Sequence, residues 1–427
     1  MLFVYRFLTT FFFPFILILI FFRKLLGKED SKRYKEKIFS SSFLSNRNFK
    51  KKLIWIHAAS IGEITSVIPV IKKLSEENLE LDFLLTTVTL SSGNLIKKSF
   101  SKNNNIQHRY LPIDSNHLVK SFLDGWKPDL IMFVDSEIWP NFLIEIEKRK
   151  IKSLLINGRV TTKTYKRWKL FPKIAEKIFD TFDLCLASSE NSFKNLQNLK
   201  VKNVKYFGNL KFITEEKDSK LDEYSKNIFR NNKVWCAAST HKGEEIFCLK
   251  THIAIKKVYN NILTIIIPRH INRAREIEKL AQSLNLETQI ISDQDTIQEN
   301  REIIIINSFG NLSKYFNLCK SIFMGKSNLK KLELVGGQNP IEAAVLGCKI
   351  YHGPYVYNFN EIYNLLQSYN ISEMINDNDD LTRKLINDFT VEKIIKDSDI
   401  KAIKEYGNKI LYSTLVEIKN LMKNENL

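Results

Sequence analysis

From Leu53 onward, short apolar runs alternate with longer stretches in which apolar positions recur at helical spacing. The runs fall at 53–58, 81–88, 108–113, 129–134, 151–156, 183–188 and 204–208, and again at 233–238, 263–267, 288–292, 302–306, 321–324 and 349–352. Apolar runs of this length read as strands buried on both faces, as in parallel sheets. Helical stretches lie between most of them, as at 64–77, 116–124, 164–178, 244–258, 272–285 and 339–347. Two successive βα series predict an α/β protein of two doubly wound parallel-sheet domains, 23–213 and 233–400. The polar run 214–232 reads as their linker. A last helix, about 401–424 within the segment 401–427, is expected to pack across both domains or onto the first.

Ahead of the first strand, residues 1–22 form a segment of another kind. It carries one charge, Arg6, followed by sixteen uncharged residues from Phe7 to Phe22. A bilayer-spanning helix needs about 20 apolar residues, so this segment reads as an amino-terminal membrane anchor that either spans or lies along the interface. No small-residue cleavage site follows, which argues against a removable signal peptide. Arg23, Lys24 and Lys28 come next and place the rest of the chain on the cytoplasmic side of the membrane.

Charge sharpens this reading. The net charge of +18 resides in residues 23–52, with eleven Lys/Arg against three acids, and in 148–177, with eleven against one. Two basic patches on an otherwise neutral chain point to an anionic surface or substrate. No nucleic-acid-binding motif accompanies them, so nucleic acid is not expected as a partner. Five cysteines without a CxxC spacing suit core thiols in a reducing compartment.

Chemistry concentrates where the strands end. Leu53–His57, then Ala58-Ala59 and Ser60-Ile-Gly-Glu63, reads as a strand, a close turn and a helix start. Glu63 fits a general base at the carboxyl end of the sheet, and equally a capping box in which it reaches back to the Ser60 amide. Asp135-Ser-Glu137-Ile-Trp-Pro140-Asn141 places two carboxylates after a strand, suited to a hydroxyl, a cation or a cap. Gly208-Asn-Leu-Lys211 presents a lysine to a phosphate or carboxylate. In the second series, Ala238 to Glu245 joins small hydroxyl residues to a helix start, an anion-binding pattern; His241 there is a ligand contact or a structural histidine. Pro268-Arg269-His270 sets an arginine at a strand end, suited to a phosphate. Phe309-Gly310-Asn311 exposes amides before a helix. Gly336-Gly337-Gln-Asn339-Pro340-Ile341-Glu342 is a paired-glycine loop with Asn339 as cap, Pro340 in the first turn and Glu342 three residues after the cap. Gly353-Pro354 follows on the same edge. Several helix starts on one rim imply that the second domain binds a nucleotide.

Taken in this order, His-Ala-Ala-Ser-Ile-Gly-Glu63, Ser-Glu-Ile-Trp-Pro-Asn141, Asn157-Gly-Arg159, Gly-Asn-Leu-Lys211, Ser-Thr-His241, Pro-Arg-His270 and Gly-Gly-Gln-Asn-Pro-Ile-Glu342 with Gly-Pro354 resemble the lipopolysaccharide Kdo transferases. The resemblance runs over nearly the whole chain. It implies a glycosyltransferase B-type fold of two Rossmann-like domains, with the acceptor in the first and CMP in the second. It implies an inverting transfer of 3-deoxy-manno-octulosonate (Kdo) from CMP-Kdo to a lipid A precursor, without metal or other cofactor. The family's base falls on Glu63 and its transition-state stabilisers on Asp135 and Lys211. Its CMP contacts fall on Pro268, Arg269, Phe309, Gly310, Asn311, Asn339, Pro340, Ile341 and Glu342. This chain has Asp135 where the family usually has glutamate, Gly325-Lys326-Ser327 in place of Gly-Gly-Ser, and Lys242 in place of an acid. The competing readings are another two-domain nucleotide-sugar enzyme, such as an epimerase or a different membrane glycosyltransferase, and a non-catalytic anchored lipid-binding protein.

Overall fold

The computed structural model describes residues 2–43, 47, 49–213, 222–292, 295–308 and 312–423. They form two compact units, one of residues 1–213 with those from Gly407 onward, the other of Thr214–Tyr406.

The first unit is built on seven parallel strands: β1 (Lys52–His57), β2 (Leu81–Thr87), β3 (Ile106–Tyr110), β4 (Leu130–Val134), β5 (Lys152–Gly158), β6 (Leu184–Ala187) and β7 (Val204–Tyr206). Their order is β3-β2-β1-β4-β5-β6-β7, the doubly wound arrangement. The order reverses between β1 and β4, where the crevice at the carboxyl ends takes a ligand in such sheets. Strands β1, β2 and β4 are almost wholly buried, which is why they read as unbroken apolar runs. Trp55 packs with Phe122, Phe133 and Phe142 at ring-centroid distances of 5.0 to 5.5 Å, at the centre of this core.

The second unit repeats the plan with β8 (Lys233–Thr240), β9 (Ile262–Pro268), β10 (Thr288–Ile291), β11 (Ile303–Ile306), β12 (Ser321–Met324), β13 (Lys349–His352) and β14 (Ser372–Met374). The order is β10-β11-β9-β8-β12-β13-β14, again all parallel, and it reverses between β8 and β12. Two Rossmann-like sheets are therefore present.

Several local expectations need correction. The helix expected over 164–178 is two, Thr162–Lys169 and Pro172–Phe179. Pro172 has no N–H to continue the first helix and suits the first turn of the second. The linker expected over 214–232 holds a helix, Glu223–Arg230, started by Asp222, whose carboxylate accepts the Ser225 amide at 2.8 Å; its residues 214–221 lie outside the described ones. The last helix begins earlier, at Asp397, and runs to Lys423. In the first unit its Glu417 meets Lys205 at 2.8 Å and its Lys419 meets Glu77 at 2.5 Å. The amino-terminal segment is not one anchor helix. Among the described residues no single helix is long and apolar enough to cross a membrane. Val4–Phe11, within the helix Leu2–Phe11, and Phe13–Leu25 meet at a 52° bend and pass that test only as a pair.

Candidate active site

Glu63 occupies the first turn of the helix Ile61–Glu77, directly beyond the end of β1. The Ser60 hydroxyl donates to its Oε1 and the Ala59 amide to its Oε2, each at 2.7 Å. The Glu63 amide in turn reaches the Ser60 hydroxyl oxygen at 3.4 Å. The capping-box geometry is thus present, but the carboxylate takes the Ala59 amide rather than that of Ser60. The cap also fixes both carboxylate oxygens at the strand end. Desolvation raises the Glu63 pKa above the ordinary carboxylate value, and the charges of Glu137 and Asp135 add to the rise. The hydrogen bonds from Ser60 and Ala59 oppose it.

Asp135 follows β4, on the other side of the point where strand order reverses. Its φ of 62° is left-handed, a conformation that aspartate tolerates better than most residues. Burial raises its pKa, against the nearby charges of Lys211 and Arg159. The Lys211 ammonium lies 3.7 Å from Oδ2 of Asp135. Asn157, itself at φ 53°, delivers that lysine: its Oδ1 accepts the Leu210 amide at 3.0 Å, and Asn209 Oδ1 accepts the Lys211 amide at 3.0 Å. The Arg159 amide closes on the Asp135 carbonyl at 2.9 Å. Three separate motifs of the sequence therefore meet in one hydrogen-bonded corner.

The partners of Glu137 there were not singled out from sequence. His57 is paired in register with Thr86 on β2 and Phe133 on β4. The Trp55 indole N–H donates to the Thr86 hydroxyl at 2.8 Å, which lies 3.0 Å from Nδ1 of His57; Nδ1 also stands 3.1 Å from the Thr86 carbonyl. Nε2 of His57 is 3.1 Å from Oε2 of Glu137, which also accepts the Trp139 indole N–H at 2.9 Å. An indole can only donate and a carboxylate only accept. The chain of bonds thus runs from Trp55 through Thr86 and His57 to Glu137. A histidine closing a buried strand just before a small-residue turn was the available signal.

In the second unit the Arg269 amide donates to the Thr240 carbonyl at 3.0 Å, tying the end of β9 to the end of β8. Pro268 is buried as the last residue of β9 and Arg269 is exposed. The amides expected to bind an anion near His241 are already engaged. Glu244, fully buried, accepts the amides of His241, Lys326, Ser327 and Asn328 at 2.7 to 3.1 Å, and Glu245 accepts that of Gly243 at 3.2 Å. A side chain of the protein fills the place where a ligand anion was expected. Burial lowers the His241 pKa; its Nδ1 stands 3.1 Å from the Ser239 carbonyl and its ring faces that of His270 at 5.8 Å.

Lys326 sits at φ 59° and its carbonyl accepts the Gly337 amide at 2.7 Å. Gly337 has φ 93°, and a side chain at Gly336 would lie 2.0 Å from the Tyr355 carbonyl, so both glycines are required by the loop. The following helix is Ile341–Val345, starting later than expected, with Asn339 Oδ1 accepting the Ile341 amide at 3.2 Å. Asn339 is exposed and Glu342 half-buried, while Pro340 and Ile341 are buried, so Ile341 turns its side chain to the core. Phe309, Gly310 and Asn311 lie outside the described residues. Among the described residues no three His, Cys, Asp or Glu side chains form a metal-ligand group.

The family model of 3-deoxy-D-manno-octulosonic-acid transferase (kdotransferase) matches residues 32–214. A 3-deoxy-D-manno-octulosonic acid transferase of Rickettsia bellii (strain RML369-C) is 32% identical over 354 residues, covering 82% of each chain. A glycosyltransferase from Rickettsia africae ESF-5 superposes with a TM-score of 0.57 at 13% identity, covering 88% of this chain and 100% of that one. A UDP-GlcNAc 2-epimerase from Neisseria meningitidis, bound to UDP-GlcNAc, superposes as well, with a TM-score of 0.56 at 13% identity over 87% and 100%. The fold is thus of the glycosyltransferase B type and shared with epimerases, so the fold does not choose between them. The sequence relationship does, and it places this chain in the 3-deoxy-D-manno-octulosonic acid transferase family of glycosyltransferases.

Proposed function

We propose that this protein transfers Kdo from CMP-Kdo to a lipid A precursor, lipid IVA, at the cytoplasmic face of the inner membrane, with Glu63 as general base. The observation that carries the reading is the Glu63 carboxylate, held at the β1 end by Ala59 and Ser60 beside Asp135 and Lys211. A carboxyl with a raised pKa is the better base for a sugar hydroxyl.

In this reaction Glu63 takes the proton of the acceptor hydroxyl as its oxygen bonds to the anomeric carbon of Kdo. The bond from that carbon to the CMP phosphate oxygen breaks, and its electron pair leaves with CMP. Attack from the face opposite the leaving group inverts the anomeric centre. Asp135 stabilises the positive charge that develops at the sugar, and Lys211 receives part of the negative charge that builds on the departing phosphate. Arg269, the Asn339–Glu342 turn and the segment Phe309 to Asn311 hold CMP, with Pro268 shaping the strand end. Charge on a departing phosphate is well received by an arginine and helix-terminal amides. No metal or cofactor enters the scheme.

Thermal unfolding in the presence of nucleotides tests the donor class, because a ligand that binds the folded state alone raises its stability. CMP is expected to raise the melting temperature and UDP to leave it unchanged. Protection by UDP instead would favour an epimerase-like or other transferase activity.

A further inference from the structure

The ends of β8, β9 and β12 meet around the point where strand order in the second unit reverses, the edge at which such sheets hold their ligands. The Gly325 amide donates to the Ala238 carbonyl at 2.8 Å, and a side chain at Gly325 would lie 2.7 Å from the Ser239 carbonyl, so β12 ends hard against β8. Oε2 of Glu244 accepts the amides of both His241 and Lys326, at 2.9 and 2.7 Å. One carboxyl oxygen thus holds these two residues side by side. The His241 ring faces that of His270, which follows Arg269 at the β9 end.

Glu244 and Glu245 engage main-chain amides of the His241 turn and of the Lys326–Asn328 loop, so an anion arriving there has to be met by side chains. Two nearby cations are paired with acids, Lys242 with Glu276 at 3.2 Å and Arg273 with Glu245 at 2.6 Å. Arg269 is exposed, and no acid pairs with it among the described residues. Lys326 is half-buried, and its charge is felt at His241, whose proton affinity it lowers. Its backbone is left-handed at φ 59°, and its main-chain bonds to Glu244 and Gly337 need no side chain. Strain retained at such a position is characteristic of ligand sites. Nδ1 of His241 stands 3.1 Å from the Ser239 carbonyl, which can only accept, so Nδ1 carries the proton. In the neutral ring, favoured by burial, Nε2 is then a hydrogen-bond acceptor.

The donor proposed above carries two anions on one carbon, since the anomeric centre of Kdo bears both the phosphate ester and the sugar's own carboxylate. The planar fork of an arginine suits the phosphate, and a lysine beside it supplies a point charge for the second anion. We propose that Lys326 and His241 form the subsite for the donor sugar, the lysine ammonium pairing with the carboxylate and Nε2 of His241 accepting a hydrogen bond from a sugar hydroxyl. The inference rests on the reading of CMP-Kdo as donor and deepens it, separating recognition of the sugar from Arg269, to which the phosphate is assigned. An ion pair made with the bound donor and kept in the transition state contributes to KM and not to kcat.

Lys326→Gln removes the charge and leaves the main-chain bonds in place. It is expected to raise KM for CMP-Kdo, generated in situ, at least about ten-fold with kcat nearly unchanged. The rise in melting temperature with CMP, which lacks the carboxylate, should stay at the wild-type level. Lys326→Arg should recover most of the lost affinity, and His241→Phe should raise KM while protection by CMP persists. An unchanged KM in either Lys326→Gln or His241→Phe would overturn the proposal. So would a matching loss of protection by CMP, which would put the lysine on the phosphate, or a Lys326→Arg variant as impaired as Lys326→Gln. Failure of CMP to protect the wild-type chain would overturn the donor reading and this inference together, an outcome distinct from an unchanged KM in a variant that CMP still protects.

Discussion

Nε2 of His57 stands 3.1 Å from Oε2 of Glu137, at the end of a donor chain that starts on the Trp55 indole. This pairing fixes a second carboxylate next to Glu63, which also feels Asp135 and takes hydrogen bonds from Ser60 and Ala59. Lys211 and Arg159 offset the charge of Asp135. Removing the charge of Glu137 lowers the proton affinity of Glu63. Glu137→Gln is therefore expected to move the acidic limb of the kcat/KM profile to lower pH. A limb that stays in place would show that Glu137 has no electrostatic influence on the base.

Glu63 also bears on stability. A carboxyl whose pKa is higher in the folded chain favours folding in its protonated form, and this contribution fades as pH rises through the folded value. In its ionised form the desolvated Glu63 is unfavourable to the fold. Glu63→Gln should melt at a higher temperature than wild type at pH 7, with the difference shrinking toward acid pH, while activity falls by about a hundred-fold or more. Calorimetry across pH checks the sign.

Glu244 is buried, and its carboxyl oxygens accept four main-chain amides. Glu244→Ala leaves those donors buried without acceptors, each costing about 1–3 kcal/mol. A loss of at least about 3 kcal/mol in denaturant unfolding is expected. A loss below about 1 kcal/mol would mean that the Lys326–Asn328 loop is held by other contacts.

Lys326 occupies a left-handed backbone position at φ 59°, a conformation that suits glycine better than lysine. Its amide and carbonyl carry the bonds to Glu244 and Gly337, and a glycine keeps both. Relief of the left-handed strain, about 1–2 kcal/mol, is partly offset by glycine's greater freedom in the unfolded chain. Lys326→Gly should thus be unchanged or more stable, by up to about 1 kcal/mol. A marked destabilisation would assign the lysine side chain a structural task.

Most of the strands were legible because a strand buried on both faces is an apolar run, whereas β3, β7 and β10 are only half-buried and mix polar with apolar residues. Ser372–Met374 was not: it is a three-residue edge strand with the polar sequence Ser-Glu-Met. The site was partly legible. Glu63, Asp135, Lys211 and Arg269 stand in motifs whose turn chemistry reads from sequence. The bonds from Trp55 to Glu137 depend on β1 lying between β2 and β4, which sequence order does not state. The role of Glu244 was missed for a related reason. It looked like the start of a helix with free amides, whereas its acceptor role arises from the loop after β12, more than eighty residues on.

The most direct test of the account is transfer of Kdo from CMP-Kdo, generated in situ, to lipid IVA by the wild-type chain and by folded Glu63→Ala. The account predicts product from the wild type and, from the variant, at least about a hundred-fold less. Product from the variant at the wild-type rate would return Glu63 to a capping residue. No product from well-folded wild type with several lipid A precursors would contradict the assignment of the reaction itself.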